Sequence, residues 1–369
     1  MRTGHYPSRG LSDVELPPLL EPPVIAVVVP CFRVRNTIVQ ILAGIGPEVA
    51  YIFVVDDSCP EDSGGLVCAT CSDPRVTVLR HDRNQGVGGA TITGYRAAMQ
   101  TDATIVVKLD GDGQADPALI AAIANPISRG WADYVKGNRF FSPDDLVEMP
   151  RKRLIGNAML SLMTKLSSGY WSVMDPTNGF TAVSTRVLQL LPLHKVSRRY
   201  FFESDMLFRL NTIRAVVQDF PMRACYGGEV SNLRIRQVWP SFLVGHANNT
   251  VRRIIYGYFL RGFSIASIEL ALSFPLVTFG TVYGVQQWMA HAALNIVTPA
   301  GTVMLAALPI ILGVQFLLAF LSHDIFAEPR VPLVRLIHRS VTATFEVDAT
   351  SFDQPVYPAA DQVSLEPKA

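Results

Sequence analysis

Charge is scarce in this chain. Of its 369 residues only 17% are charged, and the 32 Lys and Arg balance the 31 Asp and Glu to a net charge of +1. So even a balance excludes the basic stripe with which proteins track a phosphate backbone, and nucleic acid is not an expected partner. Cysteine is sparse as well. The five thiols, Cys31, Cys59, Cys68, Cys71 and Cys225, are odd in number and scattered, and no secretory signal stands at the start. That combination points to a reducing compartment and not to a disulfide framework. Cys68-Ala-Thr-Cys71 has the spacing of half a zinc knuckle, but no second Cys or His pair completes four ligands. The GxGxxG dinucleotide fingerprint and the Gly-Lys-Ser/Thr of a P-loop are missing too, which removes two common phosphate-binding signatures.

Apolar length, by contrast, is abundant. Between Phe263 and Trp288 the only charge is Glu269, and between Val297 and Ser322 there is none. Runs of about 20 such residues suffice to cross a bilayer, so 263–322 is expected to form two transmembrane helices in a tight hairpin turning at Met289–Ile296. Pro275 and Pro309 would bend these helices without excluding them. Arg252, Arg253 and Arg261 precede the first run, Arg330, Arg335 and Arg339 follow the second, and the link has neither Lys nor Arg. The positive-inside tendency then puts both termini and the N-terminal domain in the cytosol, making a multi-pass protein of the cell (inner) membrane. Residues 237–262 mix aromatics with Arg and His, as in juxtamembrane amphipathic helices lying among headgroups; a helix closing the soluble domain reads equally well. Residues 1–22 are expected to be disordered, and 323–369 to be a cytosolic tail that is largely disordered beyond Arg339.

Between these ends, short apolar runs alternate with helical stretches. Val24–Val29, Tyr51–Val55, Val76–Leu79, Thr104–Leu109 and Tyr134–Lys136 read as strands; 36–43, 88–99 and 117–128 read as helices. That order predicts an α/β domain over 23–236, a mostly parallel sheet with helices on both faces. Such sheets hold ligands at the carboxyl ends of their strands. There the fourth run delivers Asp110-Gly-Asp112-Gly-Gln114, two hard carboxylates one residue apart and able to face one divalent cation. An acidic turn is the plainer alternative. The second run likewise ends in Asp56-Asp57. The third opens into Arg80-His-Asp-Arg83-Asn84-Gln-Gly-Val-Gly88-Gly-Ala90, where glycines at a helix start allow an anion close to backbone N–H groups, or simply allow close packing.

Taken in order, these segments resemble glycosyltransferase family 2, of the inverting GT-A fold (Rossmann-like). Within it they are similar to the polyprenyl-phosphate glycosyltransferases of the dolichol-phosphate mannose synthase type. The resemblance covers roughly Val24 to Arg236: Val28–Pro30, the VDD of Val55–Asp57, R-x-x-N-x-G-x-G-x-A through Ala90, and D-x-D-x-Q at Asp110–Gln114. Two C-terminal spans suit its membrane-anchored bacterial members.

The resemblance implies a metal-dependent hexosyltransferase that moves a sugar from a nucleotide sugar to a polyprenyl phosphate at the cytosolic membrane face. Pro30, Asp56, Asp57, Arg83, Asn84, Gly88, Lys108 and Asp110 would bind the nucleotide sugar, and Asp110, Asp112 and Gln114 would hold Mg²⁺ or Mn²⁺ against its diphosphate. Asp175, in Asp175-Pro-Thr-Asn-Gly-Phe180, and Asp205, in Phe202-Glu-Ser-Asp205, are the candidate catalytic carboxylates, acting as base or orienting group. A turn and a helix cap are the plainer readings of the two. Cys59 replaces the usual Ser. The 222–233 segment departs from the family's R-x-x-G-x-S-K-L, with its arginine displaced and Asn232 where Lys is usual, so Arg223, Arg234 and Arg236 are the nearest candidates for the acceptor phosphate. Gln237-Val-Trp239 does not match the Q-x-x-R-W of processive synthases. Two other functions stay open: a transferase using another membrane acceptor, a lipid hydroxyl or a lipid-linked sugar, and a catalytically silent membrane scaffold. Self-association into a homo-oligomer is also left open.

Overall fold

The computed structural model describes residues 22–141, 151–223 and 235–337. The expectations for 1–21 and 338–369, and those on Cys225, Asn232 and Arg234, lie outside the described residues. The first half alternates as its sequence pattern requires: β1 (Ile25–Cys31), α1 (Ile38–Ala43), β2 (Val49–Asp56), α2 (Ser63–Thr70), β3 (Val76–Arg80), α3 (Val87–Ala98), β4 (Ile105–Lys108), a 3₁₀ turn at Pro117–Leu119 leading into α4 (Ile120–Ser128), and β5 (Tyr134–Asn138). Helix α5 (Arg151–Ser168), β6 (Thr181–Ser184), α6 (Thr185–Leu190), α7 (Phe202–Thr212) and β7 (Val217–Pro221) complete the domain.

The strands form one seven-stranded sheet in the order β3-β2-β1-β4-β6-β5-β7. Only β6 runs against its neighbours, antiparallel to both β4 and β5, while the β1–β2, β1–β4, β2–β3 and β5–β7 pairs are parallel. All seven residues of β1 are buried, as expected of a central strand covered on both faces. Its side chains divide by alternation: Val27 and Val29 join the core beneath α1 and α4, and Ala26 and Val28 join the core with Tyr95 of α3 and Phe202 of α7.

The reversal of β6 decides what meets at the sheet edge. Because β6 pairs Thr181 with Lys108, the residues that precede it, 175–179, arrive where β4 ends. The four-residue Thr-Ala-Val-Ser strand is too short for its periodicity to announce it, and a parallel neighbour would have sent 175–179 to the opposite edge.

Helix α8 (Ile235–Ile254) packs on α5 and α7 and runs into a π-helical turn, Ile255–Arg261. It therefore closes the soluble domain, while Leu243, Val244 and Val251 stay exposed on it. Then come two long helices, α9 (Ile265–Ala293) and α10 (Ala300–Phe326), linked by 294–299, a few residues later than the Met289–Ile296 turn expected from composition. Both are long and apolar enough to cross a membrane, and only 28% and 11% of their most apolar windows are buried, unlike core helices of a soluble protein. They pack through small residues: a Cβ on Gly280 would lie 2.6 Å from Ala306 O, and one on Gly313 2.7 Å from Val277 Cγ1's geminal methyl, Cγ2. Beyond α10 the chain returns to the domain, with Leu333 and Val334 N–H groups each donating to buried Asp133 at 2.9 Å.

Candidate active site

The strands deliver their polar ends to one edge. After β4, Asp110 is one-third exposed, and its Oδ1 accepts from Lys108 Nζ at 2.7 Å. Lys108 is fully buried and donates in addition to Glu203 Oε1 at 3.2 Å and Gly179 O at 3.2 Å. Burial works against this ammonium, but Asp110 and Glu203 outweigh it and hold Lys108 above the usual lysine range. Lys108 is thus a buried post beneath Asp110. Gly179 makes the approach feasible, since a Cβ there would sit 1.6 Å from Asp110 Oδ2.

Next to it, Asp112 Oδ1 accepts from Gln114 N at 3.0 Å, an Asx turn that shapes the loop, and Thr37 Oγ1 ties the loop to α1 through Gly111 O at 2.6 Å. Gln114 Oε1 receives Arg139 Nη1 at 3.5 Å. Arg139, just past β5, makes a forked pair with fully buried Asp175: Nε to Oδ2 at 2.8 Å and Nη2 to Oδ1 at 3.1 Å. Asp110, Asp112, Gln114, Arg139 and Asp175 are therefore brought together. Among the described residues no three carboxylate, His or Cys side chains converge on one point. Two carboxylates and an amide oxygen still fit a hard cation that completes its shell with diphosphate oxygens and water.

The other expected residues have different work. Asp56 is 5% exposed and holds the start of α2, its oxygens accepting from Cys59 N at 2.8 Å and Gly64 N at 3.1 Å. Asp57, 2% exposed, is committed to the neighbouring loop: Oδ1 to Gln85 N at 2.8 Å, Oδ2 to Gly86 N at 2.7 Å, with His81 Nδ1 2.7 Å from Oδ1. Both carboxylates are buried at the end of β2 and accept from backbone donors of the adjoining segments. Gly88 packs against the 197–202 segment. A Cβ on it would meet Ser197 O at 2.5 Å and Phe202 at 2.8 Å, and Gly89 N already donates to Arg198 O at 2.9 Å. The glycines serve packing. Arg83 and Asn84 remain exposed at the mouth, with Asn84 Nδ2 donating to Asp57 O at 3.2 Å. Pro30 is buried in β1 with its carbonyl beside Gly111.

Asp205 is likewise occupied, accepting from Ser197 N at 2.8 Å and Arg209 Nε at 3.1 Å on one oxygen and from Asn249 Nδ2 at 3.0 Å on the other. Glu203, two residues earlier and so on the opposite side of the helix, is the one that reaches the site through Lys108. Sequence reasoning singled out Asp205 and passed over Arg139, whose signal was its place directly after the Tyr134–Lys136 run. Arg223 is exposed two residues past the end of β7, and β7 pairs with β5 so that Pro221 faces Asn138, on the Arg139 side. Arg236 lies in the first turn of α8, its side chain outside the described set. Beneath the edge, burial pulls the Lys136 ammonium down to about 8, and burial pushes Asp219 up to about 6.

Residues 26–191 match the model described as glycosyl transferase family 2. The chain is 35% identical over 41% of its length to a UDP-N-acetylglucosamine–dolichyl-phosphate N-acetylglucosaminyltransferase of Methanococcus voltae, and the match spans 60% of that protein. An undecaprenyl-phosphate mannosyltransferase of Micrococcus luteus is 28% identical over 46% of this chain and 70% of its own. A polyprenol monophosphomannose synthase of Mycolicibacterium smegmatis is 26% identical over 50% and 70%.

Proposed function

With a glycosyl transferase family 2 domain at 26–191 as the premise, we propose that this chain transfers a sugar from a nucleotide sugar to the phosphate of a polyprenyl lipid. The reaction would take place at the cytosolic face of the membrane that α9 and α10 cross. The observation that carries the reading is the single sheet edge where Asp110 and Asp112 stand beside the Gln114–Arg139–Asp175 chain. Relatives named for dolichyl-, undecaprenyl- and polyprenol-linked sugar transfer support the acceptor class.

Each residue has a derivable task. Asp110, Asp112 and Gln114 would hold Mg²⁺ or Mn²⁺, which when bound offsets charge on the departing nucleoside diphosphate. Lys108 fixes the rotamer of Asp110, and Glu203 keeps Lys108 from withdrawing. Arg139, with Arg223 on the neighbouring strand end, supplies cationic donors for an acceptor phosphate. Asp175, fully buried and held by Arg139, orients that guanidinium and is poorly placed to accept a proton. Asp205 has its lone pairs committed to three donors. Occupied carboxylates suit a nucleophile that needs no strong base. A phosphate monoester, with its second pKa of about 6, is mostly dianionic at neutral pH and can attack the anomeric carbon directly, inverting it. A hydroxyl acceptor would need a base that neither carboxylate is arranged to provide.

The test is label transfer. Purified protein receives undecaprenyl phosphate, Mn²⁺ or Mg²⁺ and a panel of labelled nucleotide sugars. Metal-dependent label in an acid-labile lipid supports the reading, and label confined to a lipid hydroxyl or lipid-linked sugar overturns it.

A further inference from the structure

The second apolar helix ends on a buried carboxylate that takes no part in the site described above. Asp324, near the end of α10, is 3% exposed. Its Oδ1 accepts from Arg253 Nη1 and from the Tyr258 hydroxyl, both at 2.6 Å; its Oδ2 accepts from Arg253 Nη2 at 3.0 Å and Trp171 Nε1 at 2.9 Å. The donors come from three places: α8, the π-helical turn, and the loop after α5. Arg253, itself 6% exposed, also donates from Nε and Nη2 to Leu166 O in the last turn of α5, at 3.1 and 2.9 Å. Just beyond, Glu328 accepts from Ser172 N at 2.7 Å and Arg214 donates to Ala327 O at 2.5 Å.

A buried ion pair is a poor source of stability compared with apolar packing of equal volume. What it does impose is register. An α-helix turned by one residue, or slid by one turn of about 5.4 Å, would leave Arg253 and Asp324 buried without each other. An apolar contact would tolerate either slip. Leu270 and Phe320 pack around the same junction, so the polar cluster adds orientation to a contact already held by apolar burial.

Two hydrogen-bonded branches lead from this latch to the pocket. One turn before Arg253, Asn249 on α8 holds Asp205 on α7, and α7 also carries Glu203, which holds Lys108 and through it Asp110. On the other branch, His246 Nδ1 lies 2.8 Å from Ser167 Oγ and Arg253 grips Leu166 O, so α8 clamps the end of α5. From there the chain runs through Trp171 and Met174 into Asp175. The latch joins the element that sits in the bilayer to α7, whose Glu203 holds Lys108, and to α5, whose following loop leads into Asp175.

We propose that the Arg253–Asp324 pair is a positioning latch: it fixes the height and tilt of the catalytic pocket over the bilayer, and so governs use of a membrane-embedded acceptor without entering the chemistry. This rests on the polyprenyl-phosphate reading for its substrate. The experiment compares wild type with the double variant Arg253→Met/Asp324→Leu, which keeps packing volume and leaves no unpaired buried charge. Each is reconstituted in phosphatidylethanolamine/phosphatidylglycerol vesicles and assayed with undecaprenyl phosphate in the bilayer and with water-soluble citronellyl phosphate. The expected result is a loss of at least about tenfold in kcat/KM for the embedded acceptor, with the KM for nucleotide sugar and the rate on the soluble acceptor within about twofold of wild type. Parallel loss on both acceptors, or loss on neither, overturns the latch.

A second measurement reads the latch without turnover. A nitroxide is attached at Met174→Cys, a 47% exposed site, in a background whose native cysteines are replaced by serine, and its depth is measured by power saturation in the same vesicles. A shifted or broadened depth in the double variant supports the latch, and identical depths overturn it. Absence of product from wild type with either acceptor would count against the transferase reading, and the depth measurement would still decide the latch.

Discussion

Gly179 and Asp110 touch across the join of two antiparallel strands: a Cβ on Gly179 would lie 1.6 Å from Asp110 Oδ2 and 2.7 Å from Lys108 Nζ. The carboxylate at the end of β4 is therefore seated on bare backbone at the start of β6. Gly179→Ala must push Asp110 off that seat, and a displacement near 1 Å in a catalytic group costs on the order of 100-fold. Steady-state turnover on nucleotide sugar and polyprenyl phosphate is the check. Unchanged turnover would show that Asp110 does not act from this position.

Removal of divalent metal by EDTA should abolish transfer, and Mn²⁺ or Mg²⁺ should restore it. Asp112→Asn should raise the metal concentration needed for half-maximal rate by at least about tenfold, because it removes a charged oxygen from the set Asp110, Asp112 and Gln114. A metal titration of both proteins decides this. An unshifted midpoint would take Asp112 out of the metal site.

Arg139→Ala strands Asp175, which is fully buried and bonded to Arg139 through both oxygens. Removing one partner of such a pair costs roughly 3 kcal/mol or more. Arg139→Lys can satisfy only one oxygen and should fall between wild type and Arg139→Ala in melting temperature, with turnover lowered in both. A lysine variant as active as wild type would mean that the forked geometry is dispensable.

Asp219 carries a different expectation. Burial raises its carboxyl to about 6, and its Oδ1 is buried with no hydrogen bond. The folded protein therefore keeps this proton to a higher pH than the unfolded chain, whose carboxyl titrates near 3.8. Stability falls as pH rises from about 4 to about 6, and the penalty is complete above that. Asp219→Asn should be more stable than wild type at pH 7, by roughly 2–3 kcal/mol for a shift of this size, and the advantage should close as pH drops toward 4. Thermal melts across pH 4–8 test the sign; a constant difference would place the effect outside ionisation.

Much of the fold was legible because local patterns dictate it. The runs that became β1 to β4 are rich in β-branched residues, and helices α1, α3 and α4 follow such runs at ordinary spacing. Strands β6 and β7 and helix α2 carry no comparable signal. β6 is four residues long, β7 is the Pro-ended Val-Gln-Asp-Phe-Pro edge, and α2 mixes Gly and Thr into its eight residues. Strands β6 and β7 are held by neighbours distant in sequence, and α2 by Asp56 at the end of the preceding strand.

The site divides along the same line. Asp110, Asp112 and Gln114 were legible because strand, turn and carboxylates lie within a few residues. Asp56, Asp57 and Gly88 were legible as features, and only the folded chain shows what surrounds them: Cys59, Gly64, Gln85 and Gly86 donate to the carboxylates, and Ser197 and Phe202 pack on the glycine. Arg139 and Glu203 depend on pairings across 36 and 95 positions, which no local pattern reveals.

By itself, then, the sequence determined the elements whose cause is local: parallel strands from buried runs, an acidic turn from Asp-Gly-Asp, and two long apolar helices from uncharged length. Tertiary structure alone decided which carboxylates face the pocket and which face inward, because that depends on the donors each meets. The reversal of β6 brings Asp175 and Gly179 to Asp110, and the burial of Asp324 against Arg253 joins pocket to membrane helix; both are contacts made only when distant segments pack.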